Sequence, residues 1–74
     1  MERFPVVSSN VAEVGYDDAS GTLEVVFKDG SVYNYVDVPG VVYEGLLATS
    51  SRGESVGKYL NINVKKVGYR YTKL

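Results

Sequence analysis

The sequence contains no cysteine and no histidine. Disulfides are therefore excluded as a source of stability, and a zinc site would lack its usual ligands. The serine pairs Ser8-Ser9 and Ser50-Ser51 have no histidine to act as their base. The glycines form neither a phosphate-binding nor a dinucleotide-binding motif. We therefore predict a protein that is not an enzyme and has no metal, no cofactor and no evident small-molecule substrate.

Long apolar runs are also absent. The first residues, MERFPVVSSN, hold no apolar run of signal-peptide length, and no stretch approaches the length of a membrane span. We therefore expect a cytoplasmic protein with no membrane partner. The 74 residues are 45% hydrophobic and 23% charged, which is typical of one globular domain spanning residues 1–74. A chain this short buries only about 60% of its unfolded surface, so its core is marginal.

The net charge of −1 hides an uneven distribution of charge along the chain. Residues 1–44 carry eight acids and two bases, whereas residues 45–74 carry six bases and one acid. The two parts have net charges of −6 and +5. Either the two halves pair with each other across the fold, or one surface of the folded domain is basic and attracts a polyanion.

Alternating apolar residues and turn signals predict a β-meander. The segment SSNVAEVGYD predicts a first strand, TLEVVFK a second and SVYNYVDV a third. Asp29-Gly30 is the strongest hairpin signal in the chain. Near the end, VGYRYTKL predicts a last extended segment that pairs with the sheet, with Val67, Tyr69 and Tyr71 alternating against Gly68 and Arg70.

The hairpin turn permits two registers. A two-residue loop of Asp29 and Gly30 pairs Val25 with Asn34, whereas a three-residue loop that begins at Lys28 pairs Val25 with Tyr33. Burying an asparagine amide without a partner costs about 1–3 kcal/mol.

The three-residue loop, with Gly30 alone at positive φ, is therefore favoured. It places Tyr33 and Tyr35 against the core, although the alternative that both tyrosines are exposed stays open. It also leaves Val26, Val32 and Val36 on the outer face of the sheet.

Helical spacing follows the predicted strands. Pro39 suits a helix start and Gly53 a helix end, and the residues between them carry one apolar stripe of Val42, Tyr43, Leu46 and Leu47. A second, short helix is predicted from Ser55, with an apolar face of Val56, Tyr59, Leu60 and Val64. The predicted fold is α+β, a small antiparallel three- to four-stranded β-meander covered on one face by one or two short helices.

Four segments resemble, in order, the pattern of the KTSC domain, named for a C-terminal extension of some lysyl-tRNA synthetases. They are SSNVAEVGYD, TLEVVFKDGSVYNYVDVP, VYEGLLATSSRGESVGKYLN and YRYTKL. The chain also resembles the stand-alone members of bacteria and phages. The most specific part is the motif Tyr33-x-Tyr35. Arg70 stands where a proline is expected, which leaves the backbone free to pair. The resemblance implies a family of unknown function for which RNA binding has been suggested.

The C-terminal part interleaves bases with tyrosines, a pattern suited to neutralising phosphates and stacking on unpaired bases. We therefore expect a non-catalytic module that binds RNA weakly through Lys58, Lys65, Lys66 and Arg70, with Tyr69 or Tyr71 stacking. The acidic pI of about 5.2 counts against strong binding. The alternative is a module that binds another protein, or itself, through an edge strand or an outer sheet face formed by Val26, Val32 and Val36.

Overall fold

The computed structural model describes residues 1–74 as an antiparallel sheet with helices on one face. Its elements are β1 (Arg3–Pro5), β2 (Val11–Asp17), β3 (Thr22–Phe27), β4 (Val32–Tyr35), α1 (Gly40–Ser51), α2 (Val56–Leu60) and β5 (Tyr71–Lys73). A π-helical turn (Asn61–Lys65) continues α2. The strands lie side by side in chain order, so the α+β prediction is confirmed, but the sheet has five strands and not three or four.

The strand missing from the prediction is β1. It spans three residues and is too short to show an alternation in sequence. Its Pro5 lacks a backbone N–H, which suits an edge strand that pairs on one side only. Phe4 pairs with Val14 of β2, and the Val6 N–H donates to the Ala12 carbonyl at 3.2 Å beyond the end of the strand.

The β3–β4 hairpin adopts the three-residue loop. Val25 pairs with Tyr33. Gly30, at φ 93°, is the one residue of the loop with positive φ, which glycine adopts without a steric penalty. The Phe27 N–H donates to the Ser31 carbonyl at 2.9 Å and closes the loop. The favoured register is therefore confirmed, and the two-residue loop is wrong.

The core lies between the inner face of the sheet and the helices. The sheet contributes Val14, Leu23 and Val25, each 0% exposed, together with Tyr35 at 5%. The predicted helical stripes face them and are confirmed, with Leu46 of α1 and the fully or almost fully buried Val56, Leu60 and Val64 of the second helical segment.

The two helices are joined by a turn whose ends the sequence predicted. The Gly53 N–H donates to the Ser50 carbonyl and the Glu54 N–H to the Thr49 carbonyl, each at 3.0 Å, which is the Schellman arrangement at a helix end. The Ser55 hydroxyl then accepts from the Lys58 N–H at 3.1 Å and caps α2. The stop at Gly53 and the start at Ser55 are thus confirmed.

A tyrosine docks α2 on α1. The Tyr59 hydroxyl donates to the Val42 carbonyl at 2.8 Å. It passes beside Gly45, where a Cβ would collide with this hydroxyl. Glycine at this helical position is therefore required by the close approach of the two helices.

The last segment is less extended than predicted. The chain turns through residues 66–68, where Gly68 has φ 89°, and pairing with β4 begins only at Tyr71. Val67 is 58% exposed and does not take part in a strand. The prediction of an extended segment from Val67 is therefore wrong in its first part, because the helical segment ends in a turn. In addition, no helix of the structure has the length and apolar character needed to cross a membrane.

Candidate functional site

A cleft of about 650 Å³ opens on the inner face of the sheet, beside the part that the helices cover. We call it the aromatic cleft, because five of its nine lining residues carry aromatic rings. It is lined by Phe27, Asp29, Ser31, Tyr33, Tyr35, Lys65, Gly68, Tyr69 and Tyr71. Its volume falls within the range of about 300–1,000 Å³ that is typical of ligand sites.

Tyr33 lies at the centre of the rings. Its ring and the Phe27 ring meet edge to face, at a centroid distance of 5.6 Å and an interplanar angle of 86°. It stacks on Tyr35 at 6.3 Å and 18°, and the Tyr71 ring tilts against it at 5.7 Å and 49°. These contacts follow from the register, because alternate residues of β4 and their partners on β5 share one face of the sheet.

Two lysines bring positive charge to the rings. The Lys65 Nζ lies 5.4 Å from the centre of the Phe27 ring, and the Lys73 Nζ lies 5.7 Å from the centre of the Tyr33 ring. Both distances are within the range of about 6 Å in which a ring face attracts a cation. Both lysines are exposed, so their amines are available to an anion in solution.

One carboxylate is fixed at the rim of the aromatic cleft. Oδ1 of Asp29 accepts from the Ser31 N–H at 2.9 Å and from the Ser31 hydroxyl at 2.5 Å. These hydrogen bonds, with a smaller contribution from the charge of Lys73, lower the pKa of Asp29 from its ordinary value of 3.8. Asp29 is therefore a charged hydrogen-bond acceptor at neutral pH.

The tyrosines of the aromatic cleft differ in exposure. Tyr35 is buried, whereas Tyr71 is 60% exposed. Burial raises the pKa of the Tyr35 phenol, with smaller contributions from Tyr33 and Tyr71. Tyr35 is thus a neutral member of the core, and the more exposed Tyr33 and Tyr71 are the rings that a ligand can reach.

The structure brings some of the predicted site residues together and separates others. Lys65, Tyr69 and Tyr71 line the aromatic cleft together with the motif residues Tyr33 and Tyr35.

The other three predicted residues lie outside this cleft. Lys58 lines a different depression beside Arg52 and Glu54. Lys66 follows the π-helical turn and lines neither of these two depressions. Arg70 is exposed, and its Nη2 lies 3.6 Å from Asp37 Oδ2.

Sequence reasoning missed four residues of this site. The pattern of the sequence places Phe27, Asp29 and Ser31 in the hairpin alone, and it shows Lys73 only as one of the bases interleaved with tyrosines. The hairpin register could have indicated Phe27, Asp29 and Ser31, because the three-residue loop places Phe27 and Tyr33 on one face of the sheet. Lys73 required the pairing of β5 with β4, in which it lies opposite Tyr33.

Ion pairing between the two oppositely charged halves of the chain is slight. Arg3 pairs with Glu24 at 2.6 Å within the acidic half, and Arg52 pairs with Glu54 at 2.9 Å within the basic half. Of the three ion pairs, only the exposed Arg70–Asp37 pair joins the two halves. Pairing across the fold therefore leaves most of the basic residues of the C-terminal half facing solvent.

Comparison with known proteins identifies the family. The sequence profile of the KTSC domain matches residues 7–71. A protein of Stutzerimonas stutzeri is 35% identical over 74 residues, which cover 100% of this chain and 99% of that protein. A protein of Tsukamurella paurometabola is 41% identical over 61 residues, which cover 82% of this chain and 85% of that protein.

A solved structure supports the same family assignment. The crystal structure of a KTSC domain protein from Yersinia pestis matches with a TM-score of 0.82 and 28% identity, and the match covers 99% of this chain and 96% of that one. The chain belongs to the KTSC domain family, and the resemblance noted in the sequence is confirmed.

Proposed function

We propose that this protein is a non-catalytic domain that binds single-stranded RNA weakly, with unpaired bases in the aromatic cleft. The observation that carries the proposal is the cleft itself, in which five aromatic rings lie beside the amines of Lys65 and Lys73. Rings that stack on bases and cations that neutralise phosphates are the two components of single-strand recognition.

The sheet supplies the stacking surface. Tyr33 and Tyr71 stand on adjacent strands with their ring centres 5.7 Å apart, and Tyr71 is more than half exposed. A sheet that presents rings at alternate positions is one of the known ways to bind unpaired RNA bases. Each stacked base contributes about 1–3 kcal/mol, so one or two bases account for weak binding.

The lysines supply the part of the RNA affinity that depends on salt concentration. Lys65 and Lys73 are the lysines next to rings of the cleft, whereas Lys58, Lys66 and Arg70 lie outside it. Two neutralised phosphates give a slope of about −1.4 for log affinity against log salt on a single strand. Affinity should then fall about sevenfold between about 50 and 200 mM salt.

An NMR titration of the labelled protein with mixed-sequence single-stranded RNA at these two salt concentrations tests the proposal. We expect shifts at Tyr33, Lys65, Tyr71 and Lys73 that weaken as salt rises. An absence of shifts at low salt would overturn the proposal.

Matched variants make the test specific. Tyr33→Leu keeps apolar bulk against Val25 but removes the aromatic face, and it should lower RNA affinity about tenfold. Tyr16→Leu removes a ring that stacks on Tyr43, outside the aromatic cleft, and should leave RNA affinity unchanged. An equal loss in both variants would show that folding, and not stacking, had been disturbed.

A protein-interaction function is the second candidate, favoured by a different observation. The helices cover only the inner face of the sheet, and Val26 and Val32 pair with each other on the opposite face and remain partly exposed. Val36, the residue directly after β4, is also partly exposed. Association through this face would hardly respond to salt, so the same titration separates the two candidates.

A further inference from the structure

We propose that Asp29 makes the aromatic cleft selective for guanine among the unpaired bases. This inference rests on the proposed function and names the base that the cleft prefers. The starting observation is that the negative charge of Asp29 is unfavourable at the rim of a site for a polyanion, because a carboxylate repels phosphates. Besides its role in the hairpin turn, where it accepts from Ser31, such a group can accept hydrogen bonds from the ligand.

The carboxylate of Asp29 is fixed in place. Both hydrogen bonds from Ser31 end on Oδ1, at 2.9 and 2.5 Å, so the side chain is held by its own turn. No hydrogen bond of the protein ends on Oδ2, and Asp29 is exposed and lines the cleft. Oδ2 therefore has free lone pairs for a ligand.

The position of Asp29 relative to Tyr33 suits an edge contact. Ser31, Tyr33 and Tyr35 follow one another at alternate positions, and Tyr35 stacks on one side of the Tyr33 ring. Ser31 and Asp29 lie toward the other end of this row, where both line the cleft. A base that stacks on Tyr33 can thus turn one edge toward Asp29.

The edges of the four bases differ in what they offer to a carboxylate. Guanine has two adjacent donors, N1–H and the N2 amine, next to the acceptor O6. Uracil places one donor between two acceptors, and adenine and cytosine each set one amine beside a ring-nitrogen acceptor. Because a carboxylate only accepts, guanine is the base whose Watson–Crick edge fits Oδ2 without repulsion.

Lys73 completes the match. Its amine lies 5.7 Å from the centre of the Tyr33 ring, and its charge acts on the Asp29 carboxylate. An ammonium group donates, so it pairs with O6 while Asp29 pairs with N1–H and the N2 amine. A donor beside an acceptor is the complement of the guanine edge.

The test uses uridine heptamers with guanosine, inosine, adenosine, cytidine or uridine at the central position, measured by fluorescence anisotropy. We expect the guanosine oligomer to bind about tenfold more tightly than the uridine one. Inosine lacks the N2 amine and should fall between them. In Asp29→Asn, the amide in place of Oδ2 donates and faces two donors, so the preference for guanosine should disappear.

Asp18→Asn is the matched control, since it removes the same charge in the β2–β3 turn and should leave the preference unchanged. Equal binding of all five oligomers would overturn this inference and leave the proposed function standing. Asp29→Asn that tightens all five oligomers equally would also overturn it, because the carboxylate would then act only by repelling phosphates. No binding by any oligomer would overturn both.

Discussion

The protein has two clefts that are each lined by several aromatic rings. They differ in volume and in the sign of the charged side chains around them. The aromatic cleft of about 650 Å³ has Lys65 in its lining and Lys73 over one of its rings. The other, which we call the acidic cleft, measures about 420 Å³. It lies between the N-terminal strands and α1 and is lined by Glu2, Phe4, Tyr16, Asp18, Gly40, Val41, Tyr43, Glu44 and Leu47.

Two of the three rings of the acidic cleft are occupied with each other and with the fold, whereas the third, Phe4, is 44% exposed. Tyr16 and Tyr43 stack at 5.2 Å and 14°, which leaves no space for a base between them. The Tyr16 hydroxyl donates to the Val38 carbonyl at 2.5 Å, where the chain approaches α1. In the aromatic cleft Tyr33 is also stacked on Tyr35, but Phe27 and Tyr71 lie edge-on or tilted to it, and the Tyr71 ring is 60% exposed. Aromatic content alone therefore does not define a binding site in this domain.

The charges of the two clefts follow the order of the chain. All three acids of the acidic cleft come from residues 1–44, and both lysines at the aromatic cleft come from residues 45–74. The exception is Asp29, an acid of residues 1–44 that lines the aromatic cleft. Because only one exposed ion pair joins the halves, charge that is segregated along the sequence becomes segregated on the surface. The comparison thus indicates which cleft suits a polyanion.

Reversing the charge of each cleft tests this comparison and carries the largest expected effect. The double change Lys65→Glu and Lys73→Glu should weaken RNA binding by more than about tenfold at low salt, because two attractions become two repulsions. Both side chains are exposed, so the fold should be kept. Affinity is measured by anisotropy, and circular dichroism checks the fold.

The matched change is Glu2→Lys together with Glu44→Lys, which makes the acidic cleft basic. Since Tyr16 and Tyr43 of that cleft are already stacked on each other, we expect little gain in RNA affinity. A gain as large as the loss in the lysine variant would mean that charge alone determines binding and that the rings of the aromatic cleft are not needed.

The fold was predictable from sequence where physical signals were local. Helical stripes, the Gly53 stop and the Ser55 cap depend on neighbouring residues, and all three are confirmed. The cost of burying the Asn34 amide favours the register that places Tyr33 opposite Val25, and this cost also depends on one strand pair. These predictions needed no knowledge of distant contacts.

The parts of the fold and of the candidate site that the sequence does not predict depend on pairing between distant segments. β1 is stabilised by its ladder to β2 and not by its own three residues, and β5 is defined by pairing with β4. The composition of the aromatic cleft follows from this second pairing, which brings Lys73 beside Tyr33. Sequence therefore indicated that bases and rings interleave, but not which of them share a surface.

Two tyrosine-to-phenylalanine substitutions extend the comparison to the free energy of unfolding. The Tyr43 hydroxyl, in the acidic cleft, is buried without a hydrogen-bond partner, whereas the Tyr59 hydroxyl donates to the Val42 carbonyl at 2.8 Å. Tyr43→Phe should raise the free energy of unfolding by about 1 kcal/mol, because it removes an unsatisfied polar group. Tyr59→Phe should lower it by about 1 kcal/mol, because it removes a hydrogen bond.

Urea denaturation of the two variants and the parent protein measures both effects. The matched size of the changes makes the comparison independent of lost volume, since each variant lacks one hydroxyl oxygen. A loss of stability in Tyr43→Phe as large as that in Tyr59→Phe would show that the Tyr43 hydroxyl has a partner in solution, and the acidic cleft would then be better hydrated than the structure indicates.

The smallest expected effect is the pH dependence of the fixed carboxylate in the aromatic cleft. The hydrogen bonds of Ser31 lower the pKa of Asp29 from 3.8 in the folded protein. Folding therefore favours the charged form, so the stabilisation is complete above 3.8 and is lost as the pH falls through the lower, folded-state pKa. Asp29 should accordingly stay charged, and any preference for guanosine unchanged, between about pH 7 and pH 5.

An NMR titration of the Asp29 carboxyl carbon checks the shift directly. Ser31→Ala removes the largest cause, the hydroxyl hydrogen bond, and should raise the midpoint toward 3.8 while leaving the backbone hydrogen bond in place. A midpoint of 3.8 or above in the parent protein would mean that Ser31 does not hold the carboxylate. The orientation of Oδ2 toward a base would then have no structural basis, and the difference between the two clefts would rest on their lysines and rings alone.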